Sequence, residues 1–313
     1  MKLALLFPGQ GSQKPGMGAD LAREYEPARR TFAEADEALG TALSRLCFEG
    51  PEAELRLTTN AQPAILATSI AAYRVLEAEC RFEPMMAAGH SLGEYSALVA
   101  SGALSFADAL RAVRERGRLM QEACPPNVGA MAAIVGIEYA AVEALCHEVS
   151  TTAAVAVPAN LNAPDQTVIS GNAEPVRRAL AIAKERGARA SVELSVSAPF
   201  HSPLMLPAME GMRAVLGGIR FSAPRFPVIS NVTAALVTDG APIPELLLEQ
   251  IIAPVRWVDS MTALVKAGTT SAVEAGPGRV LAGLMRRIER AVKVHTTEDA
   301  GALRAAITAL NAA

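Results

Sequence analysis

Gly89-His90-Ser91-Leu92-Gly93 sets a serine between glycines in the G-x-S-x-G pattern of a nucleophile elbow, a tight strand-to-helix turn that lifts the hydroxyl clear of a sheet. Met85 to Ala88 reads as the strand leading in, and a helical stretch follows. Backbone N–H groups and the positive end of a helix dipole would then face any anion that forms at Ser91. Serine needs a base at neutral pH, and the chain holds four histidines: His90, His147, His201 and His295. His90 is the serine's neighbour in the elbow and should point away from it, which fits a structural or pocket-lining role. His147 falls on a predicted helix and His295 near the C-terminus. His201, in Ser197-Ala198-Pro199-Phe200-His201-Ser202-Pro203, stands on a Pro-bounded loop and is the best base. The order Ser, then Asp or Glu, then His predicts an acid between 91 and 201, yet no acid there stands in a loop after a strand, and the third member stays unassigned.

Short apolar runs and helical stretches must hold these residues in place. Leu3 to Phe7 reads as a first strand, amphipathic segments follow around 19–39 and 63–79, and helices are expected near 92–101 and 106–122, the second opened by a Ser105/Asp108 capping box. Leu110, Val113, Gly117 and Met120 make one face of that helix, with Arg116 adjacent. This rhythm predicts an α/β fold with a largely parallel sheet. Residues 127–197 read differently: strand Ala130 to Val135, helix Ala140 to Val149, strands Ala153 to Pro158 and Thr167 to Ser170, helix Glu174 to Arg186, strand Arg189 to Ser195. That βαββαβ order is the ferredoxin-like unit. The expected division is a catalytic body of 1–126 and 198–313 and an inserted small subdomain of 127–197, joined at Pro125-Pro126-Asn127 and Ser197-Ala198-Pro199. Strand Pro227 to Asn231, helix Pro242 to Ile252 and strand Ser271 to Glu274 return to the body.

Composition excludes several classes. At 313 residues with 51% apolar and 19% charged residues, the chain can bury a large core and is not disordered. A net charge of −3 supplies no broad positive field, so neither nucleic acid nor an anionic membrane is an expected partner. No apolar stretch is long enough for a membrane span or a signal peptide, which points to the cytoplasm. Cys47, Cys80, Cys124 and Cys146 have neither zinc nor disulfide spacing and read as buried thiols.

Five segments in order, Phe7-Pro-Gly-Gln-Gly-Ser-Gln13, Gly89-His-Ser-Leu-Gly-Glu-Tyr95, Arg116-Gly with Met120-Gln-Glu122, Gly129-Ala-Met-Ala-Ala133 and Ser197-Ala-Pro-Phe-His-Ser202, resemble the malonyl-CoA:acyl carrier protein transacylase family almost end to end. The resemblance implies an α/β-hydrolase-like body with a ferredoxin-like insertion. It makes Ser91 the nucleophile and His201 its base. In that family a backbone carbonyl orients the imidazole, and Gln250 falls at its position, which accounts for the missing acid. The backbone N–H groups of Gln10 and Leu92 become the oxyanion hole, and Arg116 the residue that holds the malonyl carboxylate in a bidentate grip. Phe200 corresponds to a bulky residue that disfavours α-methyl branches, while Met120 and Asn160 line the pocket.

The implied reaction is ping-pong: malonyl passes from malonyl-CoA to Ser91 and then to the phosphopantetheine thiol of acyl carrier protein, with no metal or other cofactor. An acidic carrier calls for a basic patch, for which Arg286, Arg287 and Arg290, or Lys184, Arg186 and Arg189, are candidates. The same elbow and base would also serve an esterase or thioesterase. A trans-acting polyketide acyltransferase or a malonate decarboxylase subunit would share the chemistry. A non-catalytic docking module is the reading that intact Ser91, His201 and Arg116 argue against.

Overall fold

The computed structural model describes residues 2–125, 127–196 and 198–312. Pro126 and Ser197, each within an expected junction, lie outside the described residues. In chain order the strands are β1 (Leu3–Phe7), β2 (Met86–Gly89), β3 (Gly129–Val135), β4 (Ala156–Ala163), β5 (Gln166–Asn172), β6 (Ala190–Glu193), β7 (Val228–Ile229), β8 (Leu236–Val237), β9 (Ser271–Glu274) and β10 (Lys293–Thr296).

A six-stranded sheet runs β10-β9-β1-β2-β7-β8. It is parallel throughout except for β8, which returns antiparallel to β7. Every residue of β1 is buried because both faces of the sheet are covered, which is why it reads as an unbroken apolar run. Leu3, Leu5 and Phe7 face the helix Thr58–Glu79 and its neighbours, while Ala4 and Leu6 pack with Trp257, Met261 and Leu281 on the other side. β8 and β10 were not anticipated; at two and four residues they are short edge strands with little pattern to read.

The second sheet runs β4-β5-β3-β6, all antiparallel, and buries its own apolar cluster, including Val142, Leu145, Val176 and Ala179 from the helices Tyr139–Val149 and Ala173–Glu185. The strand expected at Ala153 to Pro158 needs correction. Residues 151–154 form a turn closed by the Thr151 hydroxyl, which accepts from the backbone N–H groups of Ala153 and Ala154, so the strand starts at Ala156. Asn160 lies on β4. Next to it, Val255 donates to the Ala159 carbonyl at 2.8 Å and Leu161 to the Val255 carbonyl at 2.9 Å, stitching this sheet to the chain around the site.

The helix Phe106–Glu122 begins where its capping signal predicts, with the Ser105 hydroxyl accepting from Asp108 N–H at 3.1 Å. Gly117 lets it lie close against Thr58: a Cβ there would stand 2.5 Å from the Thr58 carbonyl oxygen. The helix expected over Pro242 to Ile252 spans only Ile243–Glu249, and its early end leaves the Gln250 carbonyl available outside the helix. No described helix is long and apolar enough to cross a membrane.

Candidate active site

The site gathers at the carboxyl ends of β1, β2 and β7, where ligands settle in open parallel sheets. Pro8 to Gln10 leave β1, His90 and Ser91 leave β2, and Ser230 and Asn231 leave β7. The turn after β2 is tight enough to require both flanking glycines: a Cβ on Gly89 would meet the Gly93 carbonyl at 1.9 Å, and one on Gly93 the Phe7 carbonyl oxygen at 2.1 Å. Ser91 takes a left-handed backbone with φ 51, a strained state that neighbours must hold. They do so from both sides. Asn231 accepts the Ser91 N–H on its side-chain oxygen at 2.7 Å and donates its amide to the Gly89 carbonyl at 2.7 Å.

His201, also left-handed at φ 55, lies with Nε2 2.8 Å from Ser91 Oγ. Its Nδ1 faces two carbonyl oxygens, Gln250 at 2.8 Å and Ala253 at 3.2 Å. Carbonyl oxygens only accept, so the ring hydrogen sits on Nδ1 and the Nε2 lone pair faces the serine. Burial and the nearby Arg116 charge lower the imidazole's pKa to about 3, which keeps it neutral.

Arg116 is 1% exposed although it sits on a helix face where an arginine would ordinarily be solvated. Nη1 donates to Gln62 at 2.9 Å; Nη2 donates to Gln250 Oε1 at 2.9 Å and to Ser91 Oγ at 3.2 Å. Its Nε is buried without a hydrogen-bond partner among the described residues, and the guanidinium lies over the Tyr95 ring at 5.7 Å.

These groups border a cavity of about 410 Å³ lined by Gln10, Gln62, His90, Ser91, Leu92, Arg116, Met120, Asn160, Phe200 and His201, among others. Eight of the nine sequence-predicted site residues are thus brought together. The ninth, Gln250, lies directly behind, with its carbonyl on His201. Among the described residues no hydrogen bond occupies the backbone N–H of Gln10 or of Leu92; the Gln10 side chain donates to Thr58 at 3.3 Å. His90 points away from the serine, its Nε2 2.8 Å from Asn162 Oδ1 and its ring against Trp257.

Sequence reasoning missed Gln62, Glu94 and Asn231. Gln62 is a long polar side chain buried on the Ala-rich helix Thr58–Glu79, a signal that could have been read. Glu94, 3% exposed, accepts Gln250 Nε2 at 2.6 Å and Asn231 N–H at 3.1 Å on the same oxygen, and burial raises its carboxyl pKa to about 7. One arginine from each basic cluster meets the other at Asp165. Arg287 pairs with Asp165 and Gln166, and Arg189 reaches the other Asp165 oxygen at 3.2 Å, while Arg186 pairs with Glu148 at 2.8 Å.

Residues 4–311 match the family model described as acyl transferase domain. A malonyl CoA-acyl carrier protein transacylase of Bacillus subtilis (strain 168) is 48% identical over 309 residues, covering 99% of this chain and 97% of the relative. The protein of the same name from Escherichia coli (strain K12) is 44% identical over 306 residues, covering 98% and 99%. Among solved structures, the malonyl CoA-acyl carrier protein transacylase from Coxiella burnetii superposes with a TM-score of 0.96 at 40% identity, covering 99% and 98%. A type II polyketide-synthase acyl-carrier protein in complex with its malonyl-transacylase matches with a TM-score of 0.96 at 42% identity, covering 99% and 100%.

Proposed function

The chain belongs to the malonyl-CoA:acyl carrier protein transacylase family, and from that footing we propose how its own residues move a malonyl group from coenzyme A to the phosphopantetheine thiol of acyl carrier protein, supplying fatty-acid synthesis. The observation that carries the mechanism is a single oxygen: Ser91 Oγ stands 2.8 Å from the lone-pair nitrogen of His201 and 3.2 Å from the Arg116 guanidinium. That arrangement joins a nucleophile, its base and a receptor for an anionic acyl group.

In the first half-reaction Ser91 Oγ attacks the malonyl thioester carbon and its proton passes to His201 Nε2. The resulting imidazolium is oriented by Nδ1–H donating to the Gln250 carbonyl. The Gln10 and Leu92 backbone N–H groups, both at the cavity wall, stabilise the oxyanion. The carbon–sulfur bond then breaks, and coenzyme A leaves as the thiol with the proton from Nε2. In the second half the carrier's thiol gives its proton to Nε2 and attacks the Ser91 ester, and Ser91 departs with that proton restored. Throughout, Arg116 grips the malonyl carboxylate. Its Nε–H is unspent, and acylation turns Ser91 Oγ into a poor acceptor that releases an Nη2 hydrogen. No step calls for a cofactor.

The finer architecture is our reading too. Residues 1–126 and 198–313 form an α/β-hydrolase-like body and 127–197 a ferredoxin-like insertion, supported by the β4-β5-β3-β6 order with two crossing helices and a separate apolar cluster. The carrier protein docks on the basic surface that converges on Asp165, where Arg287 of the body and Arg189 of the insertion meet. The enzyme works in the cytoplasm. Intact-protein mass spectrometry after brief incubation with malonyl-CoA tests the mechanism: a single malonyl gain is expected, discharged by carrier protein and absent in Ser91→Ala. Hydrolysis of malonyl-CoA without transfer would instead mark a thioesterase.

A further inference from the structure

The buried carboxylate behind the nucleophile has no role in the steps above, yet its position touches all of them. Glu94 stands on the first turn of the helix Gly93–Ala100 and is 3% exposed. Its Oε2 accepts from Gln250 Nε2 at 2.6 Å and from the Asn231 backbone N–H at 3.1 Å. The Asn231 N–H can only donate, so the Glu94 atom it shares with Gln250 must be an acceptor, and the Gln250 amide presents nitrogen on that side and oxygen on the other. The oxygen then faces Arg116 Nη2 at 2.9 Å, while Nε2 also reaches the Ser91 carbonyl at 3.0 Å. A flipped amide would set oxygen against the carboxylate and NH₂ against the guanidinium, opposing both contacts at once.

We infer that Glu94 is a positioning residue that fixes the Gln250 amide, and through it the Arg116 guanidinium, so as to set the preference for acyl groups bearing a carboxylate. This rests on the malonyl-transfer reading above and names what orients its anion receptor. The titratable and charged groups that act on Glu94 or feel its charge are Arg116 from the helix Phe106–Glu122 and Tyr95 on its own helix. Arg116 is the cation among them. Placing the acid one residue behind Gln250 keeps a counter-charge near Arg116 without a direct ion pair that the substrate would have to displace.

Reach and charge can be separated. Glu94→Gln keeps the length and an acceptor oxygen for both N–H groups; Glu94→Asp keeps the charge but withdraws the acceptor by one methylene. Acylation rates with malonyl-CoA and acetyl-CoA are read by intact mass, with thermal unfolding to certify folding. Glu94→Gln is expected to hold the malonyl:acetyl ratio within about threefold of the parent, and Glu94→Asp to lower it about tenfold or more, because a loosened guanidinium penalises only the carboxylate-bearing group. Equal loss of both rates in Glu94→Asp, or collapse of the ratio in Glu94→Gln, overturns the inference. If Glu94→Asp does not fold, the exchange Glu94→Gln with Gln250→Glu decides. It moves the anion onto Arg116 at constant charge, so the ratio should fall; an unchanged ratio refutes the role. A parent protein that forms no malonyl-enzyme would fail the functional reading itself, a separate result.

Discussion

Removing the Arg116 side chain asks the sharpest question of this site. Arg116→Ala deletes a cation that is 1% exposed and that donates to Gln62, Gln250 and Ser91. With malonyl on the enzyme, the substrate carboxylate would then sit in the cavity with no counter-charge. Unpairing a buried charge costs about 2–5 kcal/mol, which at about 1.4 kcal/mol per tenfold is about 30- to 5,000-fold in kcat/KM. Acetyl has no carboxylate and loses only the 3.2 Å contact to Ser91 Oγ, on the order of 1 kcal/mol. Part of that is returned, because Arg116 also depresses the basicity of His201. The malonyl:acetyl ratio should therefore fall by about tenfold or more while acetyl transfer survives.

The assay is acylation of Ser91 followed by rapid quench and intact mass, with each acyl-CoA varied separately. Thermal unfolding runs alongside, since Gln62 Oε1 and Gln250 Oε1 both lose a donor and stability should drop. A parallel loss for the two acyl groups would show that Arg116 supports the site's structure and does not select the substrate, and the assignment would be refuted.

Two further outcomes are expected. His201 is held neutral down to a pKa of about 3, chiefly by burial and then by Arg116; a base fails as pH falls through its pKa, so the acid limb of acyl-enzyme formation should lie below about pH 5 and not near the free imidazole value of about 6.5. A pre-steady-state pH profile with a limb near 6.5 would contradict this. Phe200, 8% exposed at the cavity wall, should exclude an α-methyl group: Phe200→Ala is expected to raise methylmalonyl relative to malonyl acylation by about 10-fold or more, the worth of about one methylene in a pocket. A fixed ratio would assign Phe200 to packing alone.

How much of this was legible beforehand depended on how local the cause was. The elbow at Ser91 is written in five consecutive residues, and the alternation of runs and helices gave the parallel sheet because each strand's burial follows from its own composition. His201 could be ranked but not chosen from its loop, since its partner carbonyls, Gln250 and Ala253, are 49 and 52 positions away. Arg116 was less readable still: a helix-face arginine is normally solvated, and only Gln62 and Gln250, brought in from distant segments, make its burial tolerable. The order Ser, acid, His points to an acid in a loop after a strand, whereas Glu94 stands in a helix immediately after the elbow and acts through an amide. The start of β4 was misplaced for a similar reason, because a hydroxyl-closed turn at Thr151 competes with strand propensity on equal local terms.

Among the described residues no acid stands against His201, and on the proposed mechanism this follows from what else the site must bind. A carboxylate on Nδ1 would stabilise the imidazolium, but it would also stand close to Arg116, whose charge already acts on His201. A guanidinium satisfied by a protein carboxylate has less to offer a substrate carboxylate, and the selectivity for malonyl would shrink. A carbonyl orients Nδ1–H and selects the same tautomer without adding charge. Gln250 meets both demands with one residue: its backbone oxygen holds His201 at 2.8 Å, its side-chain oxygen holds Arg116 at 2.9 Å, and its amide nitrogen takes the anion, Glu94, one step back at 2.6 Å. An acyltransferase that must recognise an anion beside its own base is thereby driven to a dyad with an uncharged third partner.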